Sequence, residues 1–199
     1  MADRHGWDLK YHETPYDRHP STFLVEVLAS LPKGRALDIA TGSGANAVFL
    51  AEKGFDVEAL DWSIFALRQL RSRRPGVGCI ACDLTRYPLP RDRYDVVVCF
   101  RFLDRALWPH FSNALRTGGA LVYETFTLRH REQLPDFPSK YCLEEGELRG
   151  AFAPNLRLER YRESASPALA SLLAFRESRV VRRGTTEDAR RTRTSVARK

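Results

Sequence analysis

The sequence predicts an open α/β sheet of seven strands, five of them parallel and the last two an antiparallel hairpin, with helices on both faces. Three observations carry this. Apolar stretches with strand and helix periodicity alternate from residue 21 to residue 125, and that rhythm implies right-handed crossovers between parallel strands. A glycine-rich turn, LDIATGSG, joins the first strand to its helix. The rhythm then breaks: LRLERYRE (156–163) and ALASLLAFRES (168–178) are two strand-like runs separated only by a short turn, the pattern of an antiparallel pair.

The elements follow in order. STFLVEVLASL (21–31) has helical spacing, with Ser21 or Thr22 as N-cap and Pro32 and Gly34 as its stop. RALDIA (35–40) is a short buried strand. After the glycine turn, ANAVFLAEK (45–53) is a helix closed by Gly54. DVEAL (56–60) is the second strand, and Ser63 is placed to cap a helix through IFALRQLRSRR, whose arginines crowd the last turn where cations complement the helix dipole. VGCIAC (77–82), YDVVVCF (94–100) and ALVYET (120–125) are three further strands. LDRALWPHFSNALRT (103–117) is a helical stretch in which Pro109 marks a bend or an early turn. The 30 residues from 126 to 155 exceed a simple connection and include a short helix at EEGELRGAF, so they form a natural lid over an acceptor.

Composition bounds the class. The chain of 199 residues is one domain by length, taken as residues 1–181. It has no apolar run long enough to span a membrane and no secretory leader in its polar, acidic start, so the expected compartment is the cytoplasm. Its four cysteines are expected as reduced thiols. Cys79 and Cys82 form C-x-x-C, but within a strand they face opposite sides of the sheet, and no metal site is expected. The net charge is +7, and residues 182–199 hold seven Arg or Lys against two acids, a net +5, which leaves +2 for the rest. That tail lacks apolar periodicity and is expected to be disordered. Nucleic acid is its alternative partner.

In an open parallel sheet, ligands bind beyond the carboxyl ends of the strands. Asp38 to Gly44, Asp61, Asp83, Arg101 to Arg105 and Glu124 all fall at such ends. Gly42, Gly44 and Ala47 satisfy G-x-G-x-x-A, which raises a dinucleotide. Asp38 argues against it, because a carboxylate and a pyrophosphate would compete for the same positive helix end. Asp61, 17 residues after Gly44, can accept both hydroxyls of a ribose. No Tyr is followed by Lys at the fourth position, so the Y-x-x-x-K pair of short reductases is missing from the sequence. S-adenosyl-L-methionine suits the loop better: it has ribose and adenine, no phosphate, and an ammonium that Asp38 would complement.

At this point the sequence resembles the class I S-adenosylmethionine-dependent methyltransferases, over roughly residues 20–178. LDIATGSG resembles their first motif, with Ala40 where many members have the first of three glycines, followed by Thr41, Gly42 and Gly44. VEALDWS resembles the second-strand motif, with Asp61 as the ribose acid beside Trp62. ACDL resembles the third, in which Asp83 would face the adenine amino group and the Leu84 N–H its ring. The resemblance implies a Rossmann-like, seven-stranded, mostly parallel sheet with a C-terminal antiparallel hairpin. GRALDIATGSGANAVFLAEKGFDVEALDWS, FRFLDRALWP, GGALVYETF and EEGEL look more specifically like the compact bacterial branch that includes tellurite-resistance methyltransferases. That branch implies a small-molecule or metalloid acceptor.

Methyl transfer from a sulfonium is an in-line displacement, so a base is optional for a soft acceptor. For an oxygen or nitrogen acceptor the candidates are His12, His19 and Glu124. Phe100, Arg101, Phe102 and Arg105, at the end of the fourth parallel strand, are expected to line the place where cofactor and acceptor meet, Phe100 and Arg101 against the cofactor. Arg101 or Arg105 is suited to an anionic acceptor or the cofactor carboxylate, with a structural ion pair to Asp104 or Glu124 as the alternative. Residues 1–20, with Trp7, Tyr11 and Tyr16, either cover the cofactor or pack the first helix onto the domain. Two further readings stand beside the small-molecule enzyme: an RNA methyltransferase anchored by the basic tail, and a noncatalytic partner subunit that keeps the fold. The chain is expected as a monomer or homodimer.

Overall fold

The computed structural model describes residues 4–13 and 19–178. The basic tail at 182–199 and Tyr16 lie outside the described residues. Seven strands form one sheet: β1 (Arg35–Ile39), β2 (Asp56–Asp61), β3 (Gly78–Ala81), β4 (Tyr94–Phe100), β5 (Leu115–Phe126), β6 (Arg157–Ala165) and β7 (Ala168–Phe175). Their order is β3-β2-β1-β4-β5-β7-β6. The five N-terminal strands pair in parallel, and β7 inserts antiparallel between β5 and β6.

Side-chain alternation sorts the core into two layers. On one face Ala36, Val57, Ala59, Val96, Val98 and Val122 pack under α2 (Thr22–Val27), α3 (Ala45–Glu52) and α4 (Ile64–Arg73). On the other, Leu37, Ile39, Val97, Cys99, Leu121 and Tyr123 pack under α5 (Trp108–Ala114) and α7 (Glu147–Phe152). Cys79 packs against the first layer and Cys82 against the second, opposite sides of the sheet as their spacing requires. The edge strand β6 is mostly exposed and carries Arg157, Glu159, Arg160, Arg162 and Glu163, charges that discourage further strand pairing.

Two elements differ from the sequence-based expectation. The fifth strand begins at Leu115, five residues earlier than ALVYET, because Leu115 pairs with Tyr94 ahead of a register shift. A Cβ on Gly119 would lie 2.9 Å from the Arg116 carbonyl oxygen, so the backbone doubles back there too closely for a side chain. Leu115 is fully buried, and that burial overrides the helical spacing of NALRT. The second difference is a helix at the start of the chain, α1 (Arg4–Glu13), in a polar segment for which no helix was expected. It is held by tertiary contacts. Asp8 Oδ1 accepts from the Ser63 hydroxyl at 2.5 Å and from the Phe65 N–H at 3.1 Å, which docks α1 on the start of α4. Among the described residues no helix is long and apolar enough to cross a membrane.

Candidate functional site

The carboxyl ends of β1 and β2 place two buried acids on either side of the glycine turn. Asp38 and Asp61 are 1% and 6% exposed. The Thr41 hydroxyl donates to Asp38 Oδ2 at 2.6 Å, and the Ala47 N–H also bonds this carboxyl. Burial, with the Asp61 charge nearby, pushes Asp38 up to about 7 despite these hydrogen bonds. Asp61 accepts from the Gly42 N–H at 2.7 Å and the Ser63 N–H at 2.8 Å. Its carboxyl is also raised by burial, and the three backbone N–H groups of Ser63, Gly42 and Trp62 oppose that shift.

The turn itself is left-handed at Ala40, Gly42 and Gly44, with φ of 54°, 55° and 82°. Glycine accepts this geometry without strain. At Ala40 it costs about 1–2 kcal/mol, which explains why the resembling motif usually carries glycine there. A Cβ on Gly44 would meet Leu70 of α4 at 2.6 Å, and one on Gly42 would meet the Tyr11 hydroxyl oxygen at 2.7 Å. Tyr11 of α1 therefore lies against the loop. Its hydroxyl is held protonated far above the usual tyrosine range by burial and by Asp61 and Asp38. The described part of residues 1–20 is α1, which packs on the start of α4 and brings Tyr11 against the loop.

The remaining expected residues fall into three groups. Asp83 is half-buried and accepts from the Thr85 N–H at 3.0 Å and the Thr85 hydroxyl at 2.7 Å. Its other oxygen lies 3.8 Å from Arg86. Leu84 and Phe100 are core residues of opposite layers, and Trp62 is 36% exposed beside Asp61. Glu124 is buried and accepts from the Ser21 hydroxyl at 3.0 Å and the Ser171 hydroxyl at 2.7 Å, so both its oxygens tie β5 to β7 and to the start of α2. Arg105 pairs with Glu147, not with Asp104 or Glu124, and donates to the Cys142 carbonyl at 3.0 Å. It anchors the 126–155 segment. His12 is exposed with its ring 5.2 Å from Phe65, and His19 is exposed. Arg101 has φ of 56°, and its N–H donates to the Glu124 carbonyl at 2.8 Å. Sequence reasoning missed Asp8, Phe126, His130 and Phe137. Their roles depend on contacts between segments far apart in the chain, which no local pattern announces.

The donor set fits an adenosyl sulfonium cofactor. Two buried carboxylates at the loop suit ribose hydroxyls and an ammonium; Asp38, held near neutrality without a cation, would ionise beside one. A pyrophosphate would meet both acids.

Comparison with known proteins agrees with the geometry. Residues 36–119 match the family model described as a methyltransferase domain. A demethylmenaquinone methyltransferase of Renibacterium salmoninarum is 36% identical over 109 residues, which cover 52% of this chain and 46% of that protein. Its counterpart in Beutenbergia cavernae is 34% identical over 109 residues, covering 52% and 45%. The match thus spans just under half the length of these curated relatives. Among solved structures, an S-adenosylmethionine-dependent methyltransferase from Mesorhizobium loti superposes with a TM-score of 0.65 at 20% identity, covering 78% of this chain and 99% of that one. TehB from Haemophilus influenzae gives 0.66 at 17% identity, covering 88% and 67%. These structural likenesses establish the Rossmann-like fold with its strand order and C-terminal hairpin. The match to the methyltransferase-domain model covers residues 36–119, the stretch that carries the glycine turn with Asp38, Asp61 and Asp83.

Proposed function

We propose that this protein is an S-adenosyl-L-methionine-dependent methyltransferase acting on a small organic acceptor. The observation that carries the reading is the pair of buried carboxylates, Asp38 and Asp61, on either side of the left-handed glycine turn. Bound there, S-adenosyl-L-methionine supplies an electrophilic methyl group on a sulfonium. Asp61, already oriented by the Gly42 and Ser63 N–H groups, keeps lone pairs for ribose hydroxyls. Asp38 would receive the ammonium, and Asp83 and Leu84 the adenine. Helix α1 covers the cofactor: with Tyr11 against Gly42, it shields the loop from water. Residues 126–155 serve as the acceptor lid, tied down through Arg105 and Glu147.

The relatives named as demethylmenaquinone methyltransferases favour an organic ring over a metalloid as acceptor. The RNA-methyltransferase reading rests on residues 182–199 alone, and truncation there should leave methyl transfer to a small acceptor unchanged. The test of the cofactor is thermal unfolding with S-adenosylhomocysteine and NADH in parallel. A ligand at a hundred times its Kd adds about 2.7 kcal/mol, a rise of roughly 5–11 °C for a chain of this size. A rise with NADH alone would overturn the reading.

A further inference from the structure

At the ends of β4 and β5 stands a stack of rings that belongs to neither core layer. Phe126 closes β5. The His130 ring, in α6 (His130–Gln133), stacks on it with centroids 4.2 Å apart and planes inclined by 23°. Phe137 stands edge-on to both, at 5.2 Å from Phe126 and 4.8 Å from His130. All three are only partly buried, and the flanking Leu134 and Tyr141 are 53% and 37% exposed. The backbone beneath is firm, because the Leu128 N–H donates to the Leu143 carbonyl at 3.0 Å and the Leu143 N–H to the Phe126 carbonyl at 2.9 Å. Rings held this way and left open to solvent present both faces and edges to an aromatic guest.

A cation completes the arrangement. The Arg101 guanidinium lies 5.3 Å from the Phe126 centroid. Among the described residues it has no carboxylate partner, whereas Arg105 is neutralised by Glu147. The left-handed backbone at Arg101, pinned to the Glu124 carbonyl, sets its direction at some cost in strain. A cavity of about 380 Å³ opens nearby, lined by Thr127, Arg129, Glu144, Glu145 and Glu163, but its three carboxylates would repel an anion. The ring stack is the better site.

We propose that Arg101, Phe126, His130 and Phe137 form the acceptor subsite, and that it takes a planar aromatic acceptor carrying an anionic oxygen. The ring of the acceptor lies against the stack and its oxygen faces Arg101. This rests on the methyltransferase reading above, and the test separates the two. Calorimetry would use 1-hydroxy-2-naphthoate as probe, with cyclohexanecarboxylate as a non-planar anion and naphthalenemethanol as a planar neutral molecule, each with and without S-adenosylhomocysteine. The naphthoate should bind more tightly than either control. Phe137→Ala and Phe137→Leu, at a partly exposed position that the core does not need, should each weaken it about tenfold, the loss of a ring–ring contact. Arg101→Gln should weaken the naphthoate by a similar factor and leave naphthalenemethanol unchanged. Naphthoate that does not bind, binds no better than cyclohexanecarboxylate, or is indifferent to Phe137 would overturn the proposal. Failure of S-adenosylhomocysteine to bind would instead overturn the cofactor reading, while the naphthoate measured without it still decides the subsite.

Discussion

The two halves of the sheet end in different chemistry. Over β1 and β2 the polar groups are acids, buried, and bonded to backbone N–H groups and a hydroxyl of the two adjacent turns, Asp61 reaching across to the Gly42 N–H. Over β4, β5 and β7 a buried Glu124 ties Ser21 to Ser171, and the other polar groups are arginines and rings, partly exposed, and bonded to side chains and carbonyls from distant segments. The first half is held by short hydrogen bonds within and between two adjacent turns and is suited to one invariant ligand. The second is assembled from separable pieces, which suits a part of the molecule that must match a particular acceptor.

The largest test of this contrast is at Asp61. Asp61→Ala removes the ribose acceptor and leaves the buried N–H groups of Gly42 and Ser63 without a partner. Charge-assisted hydrogen bonds are worth about 1.5–3 kcal/mol each, so affinity for S-adenosylhomocysteine should fall on the order of a hundredfold in calorimetry. Circular dichroism should show the sheet intact. Unchanged affinity would mean that the ribose lies elsewhere.

Asp38 offers a test with a sign. Its carboxyl stands at about 7 in the folded protein against 3.8 ordinarily. The folded state therefore holds a proton that the unfolded state releases as pH rises from about 4 to about 7. This stabilising proton is fully present below the lower value and lost above the higher one. Asp38→Asn, neutral throughout, should stabilise the ligand-free protein increasingly across that window, by up to about 4 kcal/mol above neutrality. It should also lose cofactor affinity. Denaturant melts at several pH values would read the first effect; a pH-independent difference would show that Asp38 does not titrate there.

The same contrast explains what was legible in the sequence. The strand positions, the terminal hairpin, both glycine-turn acids and the Ser63 cap follow from local periodicity and from residue types with one obvious role: Ser63 Oγ does accept from the Ala66 N–H at 3.1 Å. The early start of β5 was hidden because NALRT has helical spacing and only the pairing of Leu115 with Tyr94 decides against it. Helix α1 was hidden because its stability comes from Asp8 reaching a helix start 55 residues away. The ring stack was hidden for a related reason: Phe126, His130 and Phe137 have no regular spacing, and their meeting depends on the path of the whole segment after β5.

Arg105 tests the separability of the second half. Its guanidinium meets both oxygens of Glu147, and the two side chains are 43% and 22% exposed. Solvent screening at that exposure limits the pair to about 1 kcal/mol. A double-mutant cycle with Arg105→Gln and Glu147→Gln should return a coupling of that order. Proteolysis within 126–155 should become faster while S-adenosylhomocysteine affinity stays unchanged. A loss of cofactor affinity would show that the two halves are not independent.

The smallest effect, and the sharpest test of local coding, is at Ala40. Its φ of 54° places a side chain in left-handed backbone directly after β1, at about 1–2 kcal/mol of strain. Glycine relieves that strain but also loosens the unfolded chain by about 0.4–1 kcal/mol. Ala40→Gly should therefore stabilise the protein slightly, by about 0.5–1 kcal/mol in denaturant melts, with cofactor affinity preserved because the turn already has the required shape. Destabilisation would mean that the Ala40 methyl, packed against the layer containing Leu37 and Ile39, contributes more through burial than its backbone loses through strain.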